Sequence, residues 1–129
     1  MKYVKEMSKS DQKYLDQACE LAKMSECNYK HGAVIRKSGK TISVGINYGV
    51  NDPAYLTDEV AAEHAAVHAE VAALNACRKV DLNGATIYIA RVIKNGEPRM
   101  SKPCKRCQEA LKARGIRKVF YTIDNEMDL

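Results

Sequence analysis

The chain has 129 residues, of which 46% are apolar, and its formal net charge is +5 at neutral pH. This length and composition predict one packed domain over residues 1–129 and exclude a largely disordered chain. No run of about 18 apolar residues occurs, and the charged N-terminus lacks the apolar stretch of a signal peptide, so we expect no membrane partner. The five cysteines are odd in number and scattered, which favours a reducing, cytoplasmic compartment over a disulfide scaffold.

Charge is distributed unevenly along the chain. Residues 99–118 contain eight basic side chains and one acidic side chain, whereas residues 52–70 contain five acidic side chains. A basic segment of this kind could bind a phosphate or a polynucleotide, but it is more often the solvated face of a helix. The net charge is too small and too mixed for a dedicated polynucleotide groove, so nucleic acid is a less favoured partner than a small molecule.

The first predicted elements are a helix and a hairpin. Ser8 or Ser10 could cap an apolar pattern with helical spacing, which predicts a helix over residues 8–26. The sequence GAVIRKSGKTISVGIN predicts a hairpin with strands at 33–35 and 41–46. Gly45 interrupts the second strand, which indicates a bulge or a close backbone approach.

The rest of the chain alternates helices with strands. The predicted segments are a loop at 47–60, an alanine-rich helix at about 61–79, a β-branched strand at 85–93, a helix at 103–114 and a strand at 116–122. Pro103 suits the first turn of a helix, and Gly115 suits its end. This alternation predicts parallel strands joined by right-handed crossovers, with helices packed on the sheet.

Two cysteines stand at the start of the last predicted helix. Cys104 and Cys107 share a helix face, and a helix N-terminus favours the thiolate that binds metal ions. Disulfide oxidoreductases use the same spacing, but their pair usually lies near the first strand–helix turn among small or aromatic residues. Here the pair comes last and encloses Lys105 and Arg106, so we expect a metal site rather than a redox site.

His68 and Glu70 stand at the start of an apolar helical segment. Two residues turn a helix by about 200°, so these side chains can converge only where the helix begins. His68 could then bind a metal ion while Glu70 reaches the open side of that ion. Three protein ligands and one open position are typical of catalytic zinc, whose bound water ionises near neutral pH. Glu70 could take up the released proton and return it to the substrate.

The two motifs together resemble a known signature. His68-Ala69-Glu70 and Pro103-Cys104-Lys105-Arg106-Cys107 match the H-x-E and P-C-x-x-C pattern of zinc-dependent nucleobase deaminases. From about residue 8 to residue 122, the sequence resembles the cytidine and deoxycytidylate deaminase superfamily. HGAVIRKSGKTISVGIN resembles the first hairpin of that family, and GIRKVFYT resembles its fourth strand. The resemblance implies a three-layer α-β-α fold, with a central mixed sheet of four to five strands and helices on both faces.

The resemblance also implies an activity and a cofactor. His68, Cys104 and Cys107 would bind Zn²⁺, and Glu70 would shuttle protons. The reaction would be the hydrolytic deamination of cytosine in a nucleoside or nucleotide, giving the uracil product and ammonia. The family usually assembles, so we expect a homo-oligomer.

Three further residues are implied in substrate binding. Asn47 matches a position that often contacts the sugar in this family, although asparagine is also a routine turn residue. The backbone around Ala33 and Ala69 would line the pocket for the base.

The branches of this superfamily differ in their substrates, and residues around the two motifs indicate which branch the chain resembles. Histidine at position 68 stands where free cytidine deaminases usually have cysteine, which favours the nucleotide, polynucleotide and adenosine branches. The sequence after the cysteines resembles the deoxycytidylate branch, although that branch often has asparagine at the position of Ala72. Three cations beside the cysteines could bind a phosphate: Lys102, Lys105 and Arg106. We therefore expect a cytosine monomer, preferably a monophosphate, with a polynucleotide deaminase as the alternative.

A non-catalytic zinc module is the alternative from a different class. His64, four residues before His68, could join the three other ligands to close a structural site. Such a site would have no use for Glu70. Many family members continue with a fifth strand and another helix, which we expect to be missing or vestigial in the segment IDNEMDL.

An arginine, three tyrosines and three cysteines outside the two motifs could each have a functional role or a structural one. Arg91 and the following turn precede the cysteines, which predicts that they border the mouth of the site. Three tyrosines could stack on a base, although core or loop packing is more common: Tyr48, Tyr55 and Tyr121. Three cysteines are predicted to be small buried residues on helical faces: Cys19, Cys27 and Cys77.

Overall fold

The computed structural model describes residues 7–49, 66–123 and 125–129. The helices in these ranges are α1 (Lys9–Ala22), α2 (Ala69–Ala76) and α3 (Lys105–Ala113). The strands are β1 (Lys30–Lys37), β2 (Lys40–Ile46), β3 (Tyr48–Gly49), β4 (Ala66–Val67), β5 (Thr86–Val92), β6 (Pro98–Arg99), β7 (Lys118–Tyr121) and β8 (Asn125–Asp128). Within the same ranges, no helix has the length and apolar character needed to cross a membrane.

One mixed sheet holds six of the strands in the described residues. Its order is β2-β1-β5-β7-β8, and the short β6 also pairs with β5. β1 is antiparallel to β2 and to β5, whereas β5 and β7 are parallel and are connected through α3. β3 and β4 form a separate two-stranded ladder. The predicted mixed sheet is confirmed, and β6 adds a sixth strand to the four or five expected.

Apolar side chains cover both faces of the sheet, because alternate residues of each strand point to opposite sides. On one face, Val34 and Tyr88 pack with Leu15 of α1. On the other face, Ile35 and Ile89 belong to the cluster that includes residues of α2 and α3. Helices therefore cover both faces, and the predicted three-layer arrangement is confirmed.

Gly45 brings the start of α2 against β2. A Cβ atom at this position would lie 2.5 Å from the carbonyl oxygen of Ala69 and 2.5 Å from the amide nitrogen of Ala73. The hydroxyl of Ser43, on the same strand, donates a hydrogen bond of 2.7 Å to the carbonyl of Ala73. The close backbone approach predicted as one role of Gly45 is confirmed, and the irregular pairing of this hairpin lies elsewhere, between Ile35 and Arg36 of β1.

All three described helices are shorter than predicted, and the helix expected over 103–114 is Lys105–Ala113. The helix expected over 8–26 ends at Ala22, and its N-cap is Ser8, whose hydroxyl accepts a hydrogen bond from the amide of Asp11. Within the part of the predicted 61–79 helix that the structure describes, β4 precedes the helix, which ends at Ala76. Alanine favours a helix on either side of such a boundary, so composition alone does not mark where the helix stops.

The C-terminal segment forms β8, which pairs antiparallel with β7. The fifth strand that was expected to be missing or vestigial is therefore present as four residues at the edge of the sheet. An ion pair of 2.7 Å between Lys118 and Glu126 joins the two strands.

Candidate active site

His68 and Cys104 occupy equivalent positions in two helices. Each is the N-cap residue, with an extended backbone at ψ angles of 149° and 165°. Neither side chain forms a capping hydrogen bond, although N-cap side chains commonly satisfy the first backbone N–H groups of a helix. Neither the imidazole nor the thiol is therefore used to cap its helix.

Glu70 and Cys107 lie inside the first turns of the same two helices. Both are buried, with 5% and 4% of their surface exposed. Because the backbone of His68 is extended rather than helical, the 200° separation of a regular helix does not apply to His68 and Glu70. Both residues line one cavity, so the predicted convergence at the helix start is confirmed.

The three predicted ligands form a compact cluster. Their ligand atoms, one imidazole nitrogen and two sulfurs, all lie within 4.8 Å of one another. The Sγ of Cys107 and the Nδ1 of His68 are 3.3 Å apart. One imidazole and two thiolates are a donor set that suits zinc, so the residues fit this metal. His64, the fourth ligand of the alternative structural site, lies outside the described residues.

The electrostatics of Cys107 differ from the sequence-based expectation. Burial raises the pKa of this thiol, and the negative charge of Glu70 raises it further. Burial therefore outweighs the helix N-terminus, which was expected to favour the thiolate. A divalent cation bound here would favour the thiolate and would offset its repulsion from Glu70.

A cavity of about 710 Å³ adjoins the cluster, a volume that suits a small molecule. Its wall combines residues from five segments of the chain: Cys27, Asn28, Tyr29, His31, Asn47, Val67, His68, Glu70, Arg91, Ser101, Lys102, Pro103 and Cys104. The predicted catalytic residue, two of the predicted metal ligands and the predicted sugar contact therefore share one cavity.

Asn47 links the end of β2 to the chain that leads into β1. Its side-chain oxygen accepts a hydrogen bond of 2.8 Å from the amide of His31, and its side-chain nitrogen donates one to the carbonyl of Tyr29. Its backbone carbonyl accepts a hydrogen bond from the hydroxyl of Ser25. A carboxamide can make further hydrogen bonds, so Asn47 can hold this loop and still contact a ligand.

Ala33 and Ala69 lie in the core beside the cavity. Both are fully buried and belong to the apolar cluster between the sheet and α2. Ala69 is flanked by the lining residues His68 and Glu70, and Ala33 lies two positions after His31. Contact between their backbone and a base stays a prediction.

His31 is a titratable residue of the cavity wall that was not predicted from the sequence. Burial lowers the pKa of His31, and the charges of Arg91 and His68 act in the same direction, whereas Glu70 and the carbonyl of Tyr29 oppose them. The expected strand began at residue 33, so His31 was not recognised as part of it. The sequence did contain a signal for His31. Alternate residues of a strand point to the same face of the sheet, so His31 lies on the same face as Ala33 and Ile35, which is the face that packs against α2.

The tyrosines and the remaining cysteines considered from the sequence differ in whether they lie in the core, at the surface or in the cavity wall. Tyr121 is buried in the core, as expected, and Tyr48 is exposed, whereas Tyr55 lies outside the described residues. The prediction that Cys27 lies on a helical face is wrong, because α1 ends earlier, and Cys27 is a half-buried loop residue in the cavity wall. None of the five cysteines forms a disulfide.

A buried pair of hydroxyl side chains anchors the loop before the cysteines. The Ser101 hydroxyl donates a hydrogen bond of 2.9 Å to the carbonyl of Ile89 and accepts one of 2.8 Å from the amide of Thr122. The Thr122 hydroxyl donates to the carbonyl of Arg99 and accepts from the amide of Arg91. These contacts tie the segment that leads to Cys104 to the ends of β5 and β7.

Comparisons with known proteins agree with this geometry. Residues 8–123 match the family described as the cytidine and deoxycytidylate deaminase zinc-binding region. A deoxycytidylate deaminase from Mycobacterium phage D29 is 32% identical over 128 residues, covering 86% of this chain and 92% of that protein.

Two solved structures share the fold. The dCMP deaminase of cyanophage S-TIM5, in complex with dCMP and dUMP, aligns with a TM-score of 0.67 and 23% identity over 90% of this chain and 83% of that one. The cytidine deaminase of Mycobacterium leprae aligns with a TM-score of 0.63 and 17% identity over 91% of each chain.

The match over residues 8–123 and the phage relative identify the chain as a member of the cytidine and deoxycytidylate deaminase family. It is an enzyme of this zinc-dependent deaminase class, and zinc is its cofactor.

Proposed function

We propose that this enzyme hydrolyses the 4-amino group of deoxycytidine monophosphate. Water is consumed, the C4–N bond breaks, and deoxyuridine monophosphate and ammonia are released. The observation that carries the proposal is the position of the buried Glu70 carboxylate in the same cavity as His68 and Cys104, two members of the ligand cluster. The phage relative named deoxycytidylate deaminase supports this choice of substrate.

His68, Cys104 and Cys107 would hold the zinc ion, which supplies Lewis-acid activation of water when bound. Glu70 would accept one proton from that water and deliver it to N3 of the base, and would then carry the second proton, from the hydroxyl added at C4, to the leaving amine. Its position at the second residue of α2 keeps the carboxylate buried and close to Cys107.

Asn47 and His31 would orient the nucleoside part of the substrate. Asn47 is held in the cavity wall by hydrogen bonds to the backbone of Tyr29 and His31, so its side chain has a fixed position from which it would contact the sugar. His31 lies in the wall with Glu70. The backbone of Ala69, between the two lining residues of α2, and that of Ala33 would complete the pocket for the base.

The distribution of basic residues favours a monomeric substrate over a polynucleotide. Arg114 donates hydrogen bonds to the carbonyls of Leu74, Cys77 and Val80. Arg99 pairs with Glu97 at 2.9 Å, and Lys118 pairs across the sheet edge. The basic C-terminal third is thus partly engaged in holding the fold, whereas a polynucleotide groove needs a continuous line of available cations.

The self-association expected from the family belongs to the same proposal. Large apolar side chains are exposed at several described positions, among them Met24, Val44 and Val80. Exposed apolar residues of this kind are often covered when a protein assembles. The mass in solution, measured by light scattering, tests whether the enzyme is a homo-oligomer.

A substrate panel tests the proposed reaction. Ammonia release is measured with deoxycytidine monophosphate, deoxycytidine, cytidine, adenosine and a cytosine-bearing single strand, each at two salt concentrations. We expect the highest kcat/KM for deoxycytidine monophosphate. A preference for the single strand that weakens steeply with salt would identify a polynucleotide deaminase instead. Zinc binding without turnover of any substrate would favour a structural zinc module.

A further inference from the structure

Arg91 faces the cavity from the centre of the sheet. On β5 it lies directly opposite His31 of β1 and, on its other side, opposite Arg99 of β6. It has the same parity as Ile89, which packs toward α2 and α3. Residues directly opposite on neighbouring strands point to the same face, and Arg91 and His31 both line the cavity.

The guanidinium of Arg91 lacks an anionic partner among the described residues. Its Nε is buried and has no hydrogen-bond partner there. Its guanidinium lies over the ring of Tyr29, 4.8 Å from the ring centre, and no described carboxylate forms an ion pair with it. By contrast, the neighbouring Arg99 is paired with Glu97 at 2.9 Å. A partly buried cation beside other basic groups is costly unless an anion neutralises it.

The described part of the cavity wall has more cations than carboxylates, which favours binding of an anion. Arg91 and Lys102 supply two cations, against the single carboxylate of Glu70. The proposed proton transfers use Glu70, so that carboxylate is not available to neutralise both cations. Lys105 and Arg106, two of the cations expected to bind a phosphate, do not line the cavity.

We infer that Arg91 binds the 5′-phosphate of the substrate and so makes this enzyme select nucleoside monophosphates over nucleosides. The inference rests on the proposed function, because it assigns a residue to the substrate of the same site. The planar guanidinium offers two parallel N–H donors to phosphate oxygens. The ring of Tyr29 holds one face of the guanidinium, and the hydrogen bond from Asn47 fixes the backbone of Tyr29.

The test compares kcat/KM for deoxycytidine monophosphate and deoxycytidine in the wild-type enzyme and in Arg91→Gln. We expect the ratio of kcat/KM for the monophosphate to kcat/KM for the nucleoside to fall about 10- to 100-fold in the variant. This is the range that the loss of charge-assisted hydrogen bonds produces. Its activity on deoxycytidine should stay within about threefold of the wild-type value. Arg91→Lys keeps the positive charge but loses the two parallel N–H donors of the guanidinium, so it should give an intermediate ratio.

Arg99→Gln is the matched control. Arg99 lies next to Arg91 in the sheet, but it is paired with Glu97 and does not line the cavity. We expect this variant to keep the wild-type ratio. Equal losses on both substrates in Arg91→Gln would overturn the inference, because they would indicate a structural role. An unchanged ratio would also overturn it.

A binding measurement separates this inference from the proposed function. Titration calorimetry gives the affinities of deoxyuridine monophosphate and deoxyuridine for the wild-type protein and for Arg91→Gln, without turnover. If the wild-type protein deaminates neither cytosine substrate, the proposed function fails, and the calorimetric ratio still decides the role of Arg91. If the wild-type protein deaminates both equally and binds both products equally, the proposed reaction stands and the Arg91 inference fails.

Discussion

The Nδ1 of His68 lies 3.3 Å from the Sγ of Cys107, although 39 residues separate them in the chain. The contact joins the start of α2 to the first turn of α3. Both helices pack on the same face of the sheet, and the contact between Gly45 and Ala69 sets the depth of α2. The geometry of the proposed metal site therefore depends on how two helix starts are seated on the sheet.

Zinc content tests the proposed ligands. We expect about one zinc per chain in the purified wild-type protein and a large loss of zinc in Cys107→Ala, because two remaining ligands bind zinc far more weakly than three. Elemental analysis measures both. Cys19→Ala is the control, since Cys19 is a buried cysteine in the apolar cluster on the opposite face of the sheet. Full zinc occupancy in Cys107→Ala would show that the ligand assignment is wrong.

Glu70→Gln should keep the fold and the zinc and lose turnover. Loss of a general acid–base group typically costs about 10²- to 10⁴-fold, and here one carboxylate would serve every proton transfer. The measurement is kcat for deoxycytidine monophosphate, with zinc content and circular dichroism recorded on the same sample. Glu109→Gln, an exposed change on α3, should leave kcat unaltered. A Glu70→Gln enzyme with near-normal kcat would contradict the proposed mechanism.

Gly45→Ala should destabilise the protein and disturb the site together. The new methyl group would lie 2.5 Å from backbone atoms of α2, so the helix must move, at a cost of about 1–3 kcal/mol. That movement would carry His68 and Glu70 with it. The thermal unfolding temperature and the zinc affinity should both fall, whereas Gly49→Ala, whose added carbon has no atom of the described residues within 4 Å, should change neither. A stable Gly45→Ala protein with normal zinc affinity would show that β2 does not set the position of α2.

Cys19 should make stability fall at alkaline pH. Burial raises the pKa of its thiol from 9.0 to about 12. The unfolded chain therefore releases this proton at a lower pH than the folded chain, and unfolding becomes more favourable as the pH rises above about 9. Urea midpoints at about pH 8 and about pH 10.5 measure the loss, which should be larger in the wild-type protein than in Cys19→Ala. Equal losses in the two proteins would contradict this assignment.

The sequence by itself determined the family, the fold class and the proposed chemical groups. His68-Ala69-Glu70 and the spacing of Cys104 and Cys107 are local patterns, and each depends only on how one helix begins. The layered fold was predictable for the same reason, since alternating helical and β-branched segments report local backbone preference and the burial of each face.

Only the tertiary structure decided which other side chains meet the site. His31 and Arg91 are 60 residues apart in sequence, and they share the cavity because the register of β1 on β5 places them opposite each other. Conversely, Lys105 and Arg106 adjoin Cys104 in sequence but do not line the cavity. Proximity in the chain is a guide only within one helical turn or one strand, whereas the wall of a cavity is set by pairing and packing between distant elements.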